Sequence, residues 1–190
     1  MKKKLKITLN SPVVLIFVFI CFAATLLGEL TAGKTTHLLF MTYHSSLKSP
    51  LTYLRFFTHI FGHSGWNHFV GNTAYILLLG PLLEEKYGSR TLIEVIAVTA
   101  LITGVVNYVI FWDTGLCGAS GIVFAFILLS SFTGFKEGEI PLTFILAAVF
   151  YIGQQVLSGV FVVDNISNLS HILGGITGAV AGYMLNRKKQ

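Results

Sequence analysis

Apolar residues run through this sequence in long stretches with few polar interruptions, instead of alternating with polar residues. About 20 such residues are needed to cross the hydrocarbon core of a bilayer as a helix. Six stretches meet or approach that length, with charged or helix-breaking residues between them. They cover residues 12–30, 66–83, 91–112, 119–135, 140–161 and 169–186. The pattern predicts an all-α, polytopic membrane protein, a six-transmembrane-helix bundle that forms a single domain over residues 1–190.

The composition excludes a disordered chain and argues against a water-soluble fold. Hydrophobic residues make up 54% of the 190 residues and charged residues 11%, against roughly 25% charged in a typical soluble domain. The mean hydropathy is +0.75, and a soluble fold of this size could not bury so much apolar surface. The net charge of +5 does not indicate a nucleic-acid partner, because the basic residues cluster at chain ends and turns, as in proteins that contact membrane lipid. Cys21 and Cys117 do not form a disulfide framework.

The distribution of Lys and Arg predicts that both termini are cytoplasmic in a multi-pass protein of the cell membrane. With a cytoplasmic N-terminus, the outer loops contain only Lys34, Lys48 and Arg55. The inner side then contains Lys2, Lys3, Lys4, Lys6, Lys86, Arg90, Lys136, Arg187, Lys188 and Lys189. This bias follows the positive-inside rule. A cleaved signal peptide is an alternative for the first stretch, but its apolar part is longer than usual for such a peptide.

The connection over residues 31–65 is far longer than an ordinary loop. It is also rich in apolar residues, among them Leu38, Leu39, Phe40, Leu51, Phe56 and Phe57. Irregular backbone at membrane depth must be covered by protein. We therefore expect this loop to lie partly in the outer interface and to pack against the helix bundle.

Unusual polar residues stand at the beginnings of the second, fourth and sixth stretches. They are His68 with Asn72, then Ser120, then His171. Because all three stretches run from outside to inside in the predicted orientation, these residues lie at a similar depth near the extracytoplasmic face. Ionisable residues within a membrane are costly and usually face a polar interior. Their common depth indicates a functional site.

Ser120 stands in a segment of small residues, Gly118-Ala119-Ser120-Gly121. Small neighbours allow a substrate carbonyl to approach the backbone closely. Ser120 also opens a helix, where backbone N–H groups without intrahelical partners can stabilise an oxyanion. The alternative is a small-residue surface for helix packing, which is common in membranes.

His171 precedes Gly174, Gly178 and Gly182, which recur every fourth residue and form a smooth stripe for close helix contact. If this stripe packs on the fourth span, His171 approaches Ser120. An imidazole can then take the hydroxyl proton as a general base near neutral pH. The alternative is an interfacial histidine that only forms hydrogen bonds. No Asp or Glu lies in the outer halves of these spans, so a Ser-His dyad is simpler than a triad.

His68 and Asn72 are four residues apart and share a helix face. Both can donate hydrogen bonds to developing negative charge, although a polar clamp between helices is an alternative. A metal site formed by His59, His63 and His68 is a further alternative, but the HExxH motif is absent. We therefore expect no metal ion and no cofactor.

Together these residues resemble the rhomboid family of intramembrane serine proteases, of the compact six-span bacterial type. The resemblance covers nearly the whole chain after the first span, and the order and spacing of the motifs carry it. The matching residues are Leu54-Arg55, His63, His68, Asn72, Glu84 before Gly88, the Gly118–Gly121 segment, and His171 with Gly174 and Gly178.

The resemblance implies roles for these residues. Ser120 is similar to the family's nucleophile and His171 to its general base. His68, Asn72 and the Ser120 backbone N–H resemble the oxyanion hole. The supporting residues implied are Gly118 and Gly121 at the turn, His63, Arg55 as an anchor of the long loop, Glu84 as an anchor at the inner end of the second span, and Gly174 and Gly178. The region of Gly153, Gln154 and Gln155 and the loop from Asp164 resemble the substrate gate.

Two positions depart from the family pattern. Phe124 replaces a tyrosine that relatives often carry four residues after the nucleophile, and Leu54 replaces a tryptophan before the loop arginine. An aromatic face for His171 survives, so we expect activity to persist. The implied function is cleavage of transmembrane protein substrates near the extracytoplasmic face. The alternatives are an inactive relative that binds transmembrane helices and a small transporter.

Overall fold

The protein is built from helices. The structure, a computed structural model, describes residues 8–133, 139–161 and 168–187, with the side chains of 151–152 and 154–161 left out. The helices are α1 Pro12–Leu30, α2 Lys34–Leu39, α3 Pro50–Thr58, a 3₁₀ turn at His59–Phe61, α4 Trp66–Tyr87, α5 Ser89–Ile110, α6 Ser120–Ser131, α7 Leu142–Phe161 and α8 Asn168–Arg187. Within these residues the extended structure is one isolated antiparallel bridge, between Thr42 and Leu116. The all-α prediction is confirmed for this part of the chain.

Each of the six apolar stretches contains a helix of 12 to 22 residues, with bounds that differ by a few residues at most from the predicted ones. The largest differences are at α4, which continues past residue 83 to Tyr87, and at α6, which ends at Ser131 instead of residue 135. Among the described residues, α1 and α5 are long and apolar enough to cross a membrane by length and composition. The count of six spans remains a prediction.

The continuation of α4 beyond its predicted end places Glu84 inside the helix. A turn was expected from this charged residue onward, but its side chain is buried. Its two carboxylate oxygens accept hydrogen bonds from the backbone N–H groups of Val13 and Val14, each at 3.1 Å. Ser89 Oγ donates a third bond at 2.7 Å. The first N–H groups of a helix have no intrahelical partner, so Glu84 completes the start of α1 and joins it to α4.

Helix α6 lies at the centre of the bundle and packs against α4, α5, α7 and α8. Ile122, Phe126 and Leu129 are almost completely inaccessible. A helix that is apolar on all sides is typical of such a central position. The outward faces of the surrounding helices also carry exposed apolar side chains, such as Phe19 of α1 and Leu78 of α4. An apolar exterior of this kind suits lipid.

The long loop over residues 31–65 packs on the bundle, as predicted, but it contains α2 and α3. Helix α3 lies against α5 at Gly104, where an added Cβ would stand 2.7 Å from the Phe56 carbonyl oxygen. The bridge between Thr42 and Leu116 consists of backbone hydrogen bonds of 2.9 and 2.8 Å. It joins the loop to the segment that leads into α6.

Arg55 holds the long loop together from within. Its side chain is buried, and its guanidinium lies 4.2 Å from the ring centroid of Tyr43. It also donates hydrogen bonds to the Tyr43 hydroxyl and, at 3.1 Å, to Ser45 Oγ. These contacts join α3 to the segment before it, because one planar cation satisfies several groups at once.

Candidate active site

Ser120 and His171 form a direct hydrogen bond between α6 and α8. Ser120 is the first residue of α6, and His171 lies in the first turn of α8. Ser120 Oγ is 2.7 Å from His171 Nε2, within the 2.6–3.2 Å reach expected for proton transfer between a nucleophile and its base. The approach predicted from the sequence is therefore observed, and the catalytic roles of the two residues remain a prediction.

The glycine stripe on α8 brings these two side chains together. A Cβ added to Gly174 would collide with the carbonyl oxygen of Gly121, and one added to Gly178 with that of Ala125. At Gly182 the added Cβ would meet the Phe132 ring at 2.6 Å. The two helices thus touch backbone to backbone, as the four-residue spacing of the glycines predicts. This contact holds His171 next to Ser120 at the start of α6.

Phe124 packs against the imidazole of His171. The ring centroids are 4.9 Å apart and the ring planes are inclined by 39°. Phe124 lies one helical turn after Ser120, so the aromatic ring and the hydroxyl are on neighbouring positions of α6. The aromatic contact expected from the sequence is present without a phenolic hydroxyl.

Gly118 brings His68 and Asn72 close to the backbone that leads to Ser120. Its φ of +130° is in the region that favours glycine. A Cβ at this position would lie 2.8 Å from His68 Nε2 and 3.7 Å from Asn72 Nδ2. Any larger residue at position 118 would therefore displace His68. His68 and Asn72 lie on the same face of α4, and Gly118, which they approach, is two residues before Ser120 in the chain.

The side-chain amide of Asn72 provides a hydrogen-bond donor without a partner, close to Gly118. Its side chain is buried, and its Nδ2 has no hydrogen-bond partner among the described residues. Leaving a buried donor unpaired costs about 1–3 kcal/mol, and such groups often belong to functional sites. The amide is thus available to a group that enters the site, such as an oxyanion.

His59 and His63 form hydrogen bonds with groups of neighbouring helices and loops. His59 Nε2 is 3.2 Å from Thr103 Oγ1, and His63 Nδ1 is 3.1 Å from the Phe61 carbonyl oxygen. Burial lowers the pKa of both imidazoles to about 4, and the charge of the nearby His68 further lowers that of His63. Both are therefore neutral near pH 7. The residues described contain no cluster of three or more potential metal ligands.

Cys117 is a second potential nucleophile near Ser120, but its environment disfavours the thiolate. The side chain is partly buried, and burial raises the pKa of its thiol to about 11. Since the thiolate is the reactive form, this cysteine remains protonated near neutral pH. The chemistry available at the site is that of the serine hydroxyl.

A buried polar row on α5 was missed by the sequence analysis. Thr99, Thr103 and Asn107 are almost completely inaccessible, and their four-residue spacing in an apolar helix was the available signal. Asn107 Nδ2 donates to the carbonyl oxygens of Thr42 and Thr114. This row therefore supports the long loop and the segment before α6.

The predicted substrate gate lies largely outside the described residues. Gly153 is part of α7. The side chains of Gln154 and Gln155 and the loop from Asp164 are not among the residues described. The gate remains a prediction.

Comparison with known proteins places the site within a matched region. The model of the rhomboid domain matches residues 50–188. Rhomboid protease GlpG of Salmonella choleraesuis (strain SC-B67) is 29% identical over 140 residues, which are 72% of this chain and 50% of that protein. Rhomboid-related protein 1 of Caenorhabditis elegans is 30% identical over 142 residues, 69% of this chain and 39% of that protein. The chain thus spans half the length, or less, of these curated relatives.

Proposed function

The chain belongs to the rhomboid family, and on this premise we propose that it is an intramembrane serine endopeptidase that cleaves transmembrane segments of other membrane proteins. The observation that carries the proposal is the 2.7 Å contact between Ser120 Oγ and His171 Nε2. A serine hydroxyl is a weak nucleophile until a base accepts its proton. An imidazole at this distance is suited to that role.

The reaction proceeds through an acyl-enzyme. The Ser120 hydroxyl attacks the carbonyl carbon of the scissile peptide bond while its proton passes to His171 Nε2. The tetrahedral intermediate collapses, the C–N bond breaks, and the same proton goes to the departing amine. Water then attacks the Ser120 ester, with His171 again as the base, and releases the new carboxyl terminus.

The oxyanion of the intermediate is stabilised from α4 and from the start of α6. His68 and the unpartnered Nδ2 of Asn72 lie beside Gly118, and the backbone N–H of Ser120 belongs to the first turn of α6. Donors fixed in advance around developing negative charge are usually the largest single contribution to catalysis. Their convergence supports the proposed chemistry.

The membrane setting determines what the substrate must do. Peptide hydrolysis needs water, so the helices must enclose a wet cavity, which in the predicted orientation opens to the extracytoplasmic side. The carbonyls of a substrate helix are bonded internally, and the helix must unwind before attack. We therefore infer a preference for transmembrane substrates that contain Gly or Pro near that surface.

The proposal is tested with the purified full chain in detergent, a single-span model substrate and a serine-directed fluorophosphonate probe. We expect cleavage and labelling by the wild type, and neither by Ser120→Ala. The matched control is Ser130→Ala, which removes another α6 hydroxyl, one that donates to the Ile127 carbonyl. Cleavage by Ser120→Ala at the wild-type rate would overturn the assignment of the nucleophile.

The same experiment separates the proposal from its alternative, an inactive relative that only binds transmembrane helices. Such a protein would retain the substrate in a pull-down, yet neither cleave it nor react with the probe. A folded wild type that behaves in this way would refute the endopeptidase proposal.

A further inference from the structure

His68 is held between two different environments. On one edge of its ring, Ser64 Oγ lies 3.2 Å from Nδ1. On the other edge, Cε1 and Nε2 face Gly118, where an added Cβ would stand 2.6 and 2.8 Å away. Nε2 is therefore directed toward the backbone before Ser120, and Nδ1 toward the turn that precedes α4. Among the described residues, Ser64 alone forms a hydrogen bond with His68.

The neighbouring His63 carries its proton on Nδ1. This nitrogen lies 3.1 Å from the Phe61 carbonyl oxygen and 3.4 Å from Thr25 Oγ1. Thr25 donates its own proton to the Cys21 carbonyl oxygen, so both neighbours of His63 Nδ1 act as acceptors. The Nε2 of this neutral, buried ring is then an unprotonated acceptor, and it has no partner among the described residues.

The two neighbours of His68 can support opposite tautomers. The ring of His63 packs against that of His68 with centroids 5.0 Å apart. Its bare Nε2, which has no partner among the described residues, could act toward His68 only as an acceptor from a protonated Nδ1. The Ser64 hydroxyl can instead donate to His68 Nδ1. Donation by Ser64 to Nδ1 keeps the His68 proton on Nε2, directed toward the site. A bond from His68 Nδ1 to His63 would instead leave an unprotonated Nε2, with its lone pair directed toward the site.

We propose that Ser64 is a positioning residue that holds His68 in its Nε2–H tautomer, so that His68 can donate to the oxyanion. The inference rests on the proposed function, because it assigns the donor state of a residue in that site. Ser64 itself touches no reacting atom. A neutral imidazole donates from one nitrogen only, so the tautomer decides whether His68 stabilises or repels the oxyanion.

The tautomer is measured directly by ¹⁵N NMR of the full chain labelled at histidine, in detergent near pH 7.5. Comparison with His68→Gln identifies the signals of His68. We expect a protonated Nε2 and an unprotonated Nδ1 in the wild type. In Ser64→Ala we expect a larger fraction of the Nδ1–H form, whereas Ser64→Thr, which keeps the hydroxyl, retains the wild-type spectrum.

Kinetics on the model substrate provide the second measurement. We expect Ser64→Ala to lower kcat about fivefold with KM unchanged, the effect of one ordinary hydrogen bond on the proton equilibrium. Ser64→Thr restores kcat. The matched control is Asn67→Ala, which removes an exposed polar side chain next to His68 and leaves both kcat and the spectrum unchanged.

Two results would overturn the inference. One is a wild-type spectrum in which His68 carries its proton on Nδ1. The other is a Ser64→Ala spectrum and kcat equal to those of the wild type. If the wild type neither cleaves the substrate nor reacts with the fluorophosphonate, the proposed function fails, while the ¹⁵N spectra still decide whether Ser64 sets the tautomer.

Discussion

Gly174 of α8 lies directly on Gly121 of α6, so close that a Cβ on Gly174 would collide with the Gly121 carbonyl oxygen. Backbone atoms cannot move aside as the end of a flexible side chain can. We expect Gly174→Ala to lower the free energy of unfolding by about 3 kcal/mol, the upper part of the usual cost of overpacking. The measurement is unfolding in mixed detergent micelles, followed by circular dichroism.

Gly71 supplies the control for this substitution. It is also a helical glycine, in α4, but a Cβ there would meet no atom within 4 Å. Gly71→Ala is expected to be neutral or to stabilise the protein by up to about 1 kcal/mol, because alanine is the better helix former. Equal stabilities of the two variants would contradict the close contact between α6 and α8.

The buried carboxylate of Glu84 predicts a second effect on stability. Glu84→Ala leaves the N–H groups of Val13 and Val14 without an acceptor at the start of α1. Unpaired buried donors cost about 1–3 kcal/mol each, so we expect a loss of about 3 kcal/mol in the same unfolding measurement. Glu84→Gln, which retains one acceptor oxygen, should lose less.

Glu94 is the matched control for Glu84. It forms an ion pair with Arg90 at 3.0 Å, but the two side chains are 60% and 94% exposed. Exposed pairs of this kind contribute little, and we expect Glu94→Gln to change the free energy of unfolding by less than about 0.5 kcal/mol. A loss as large as that of Glu84→Ala would show that charge alone, and not the contact with α1, explains the effect.

The position of Asn72 predicts that its replacement lowers kcat without a large change in KM. Its unpartnered amide is placed to donate to the oxyanion, a charge that exists only during the reaction. We expect Asn72→Ala to lower kcat by about 100-fold, as for the loss of one oxyanion donor elsewhere, with KM changed less than about twofold. Leu78→Ala, an exposed position on the same helix, serves as the control. A change confined to KM would argue against the oxyanion role.

His59 predicts how stability depends on pH. Burial lowers its pKa from 6.5 to about 4, opposed in part by the backbone carbonyls of Arg55 and Phe56. The unfolded chain therefore binds this proton at a higher pH than the folded protein does. The free energy of unfolding therefore contains a contribution from neutral His59 that is complete above about pH 6.5. This contribution is lost as the pH falls toward 4, by up to about 1.4 kcal/mol per pH unit.

The test compares the wild type with His59→Gln, which has no imidazole to protonate. We expect a shallower decline of the free energy of unfolding between pH 6.5 and pH 4 in the variant. The comparison concerns the slope, so a constant loss of stability in the variant does not affect it. Parallel curves would contradict the lowered pKa of His59.

The long helices were predictable because their apolar residues form stretches that only a helix can place in lipid. The short helices α2 and α3 were not, since six and nine residues contain too few turns for periodicity to appear. The end of α4 was also missed, because a charged Glu84 reads as a turn residue unless its partners at the start of α1 are known.

For the candidate site, the approach of Ser120 to His171 followed from the spacing of the glycines on α8. The state of His63 could not be predicted in this way. Besides the Phe61 carbonyl oxygen, its Nδ1 faces Thr25 Oγ1, which is 38 residues earlier in the chain, and no local pattern links Thr25 to His63. Sequence spacing therefore located the candidate site, whereas the proposed tautomers within it rest on contacts between distant elements.

The shortness of α6 has a consequence for the rate of the proposed cleavage in membranes of different thickness. Its 12 residues rise only about 18 Å, whereas bilayer hydrocarbon is about 30 Å thick. If the end of α6 reaches one boundary, Ser120 stands about 12 Å short of the other. If the chain cleaves transmembrane substrates as proposed, the acyl-chain length of the host lipid then sets how deep in the bilayer the scissile bond must lie, and we expect turnover to change with lipid composition.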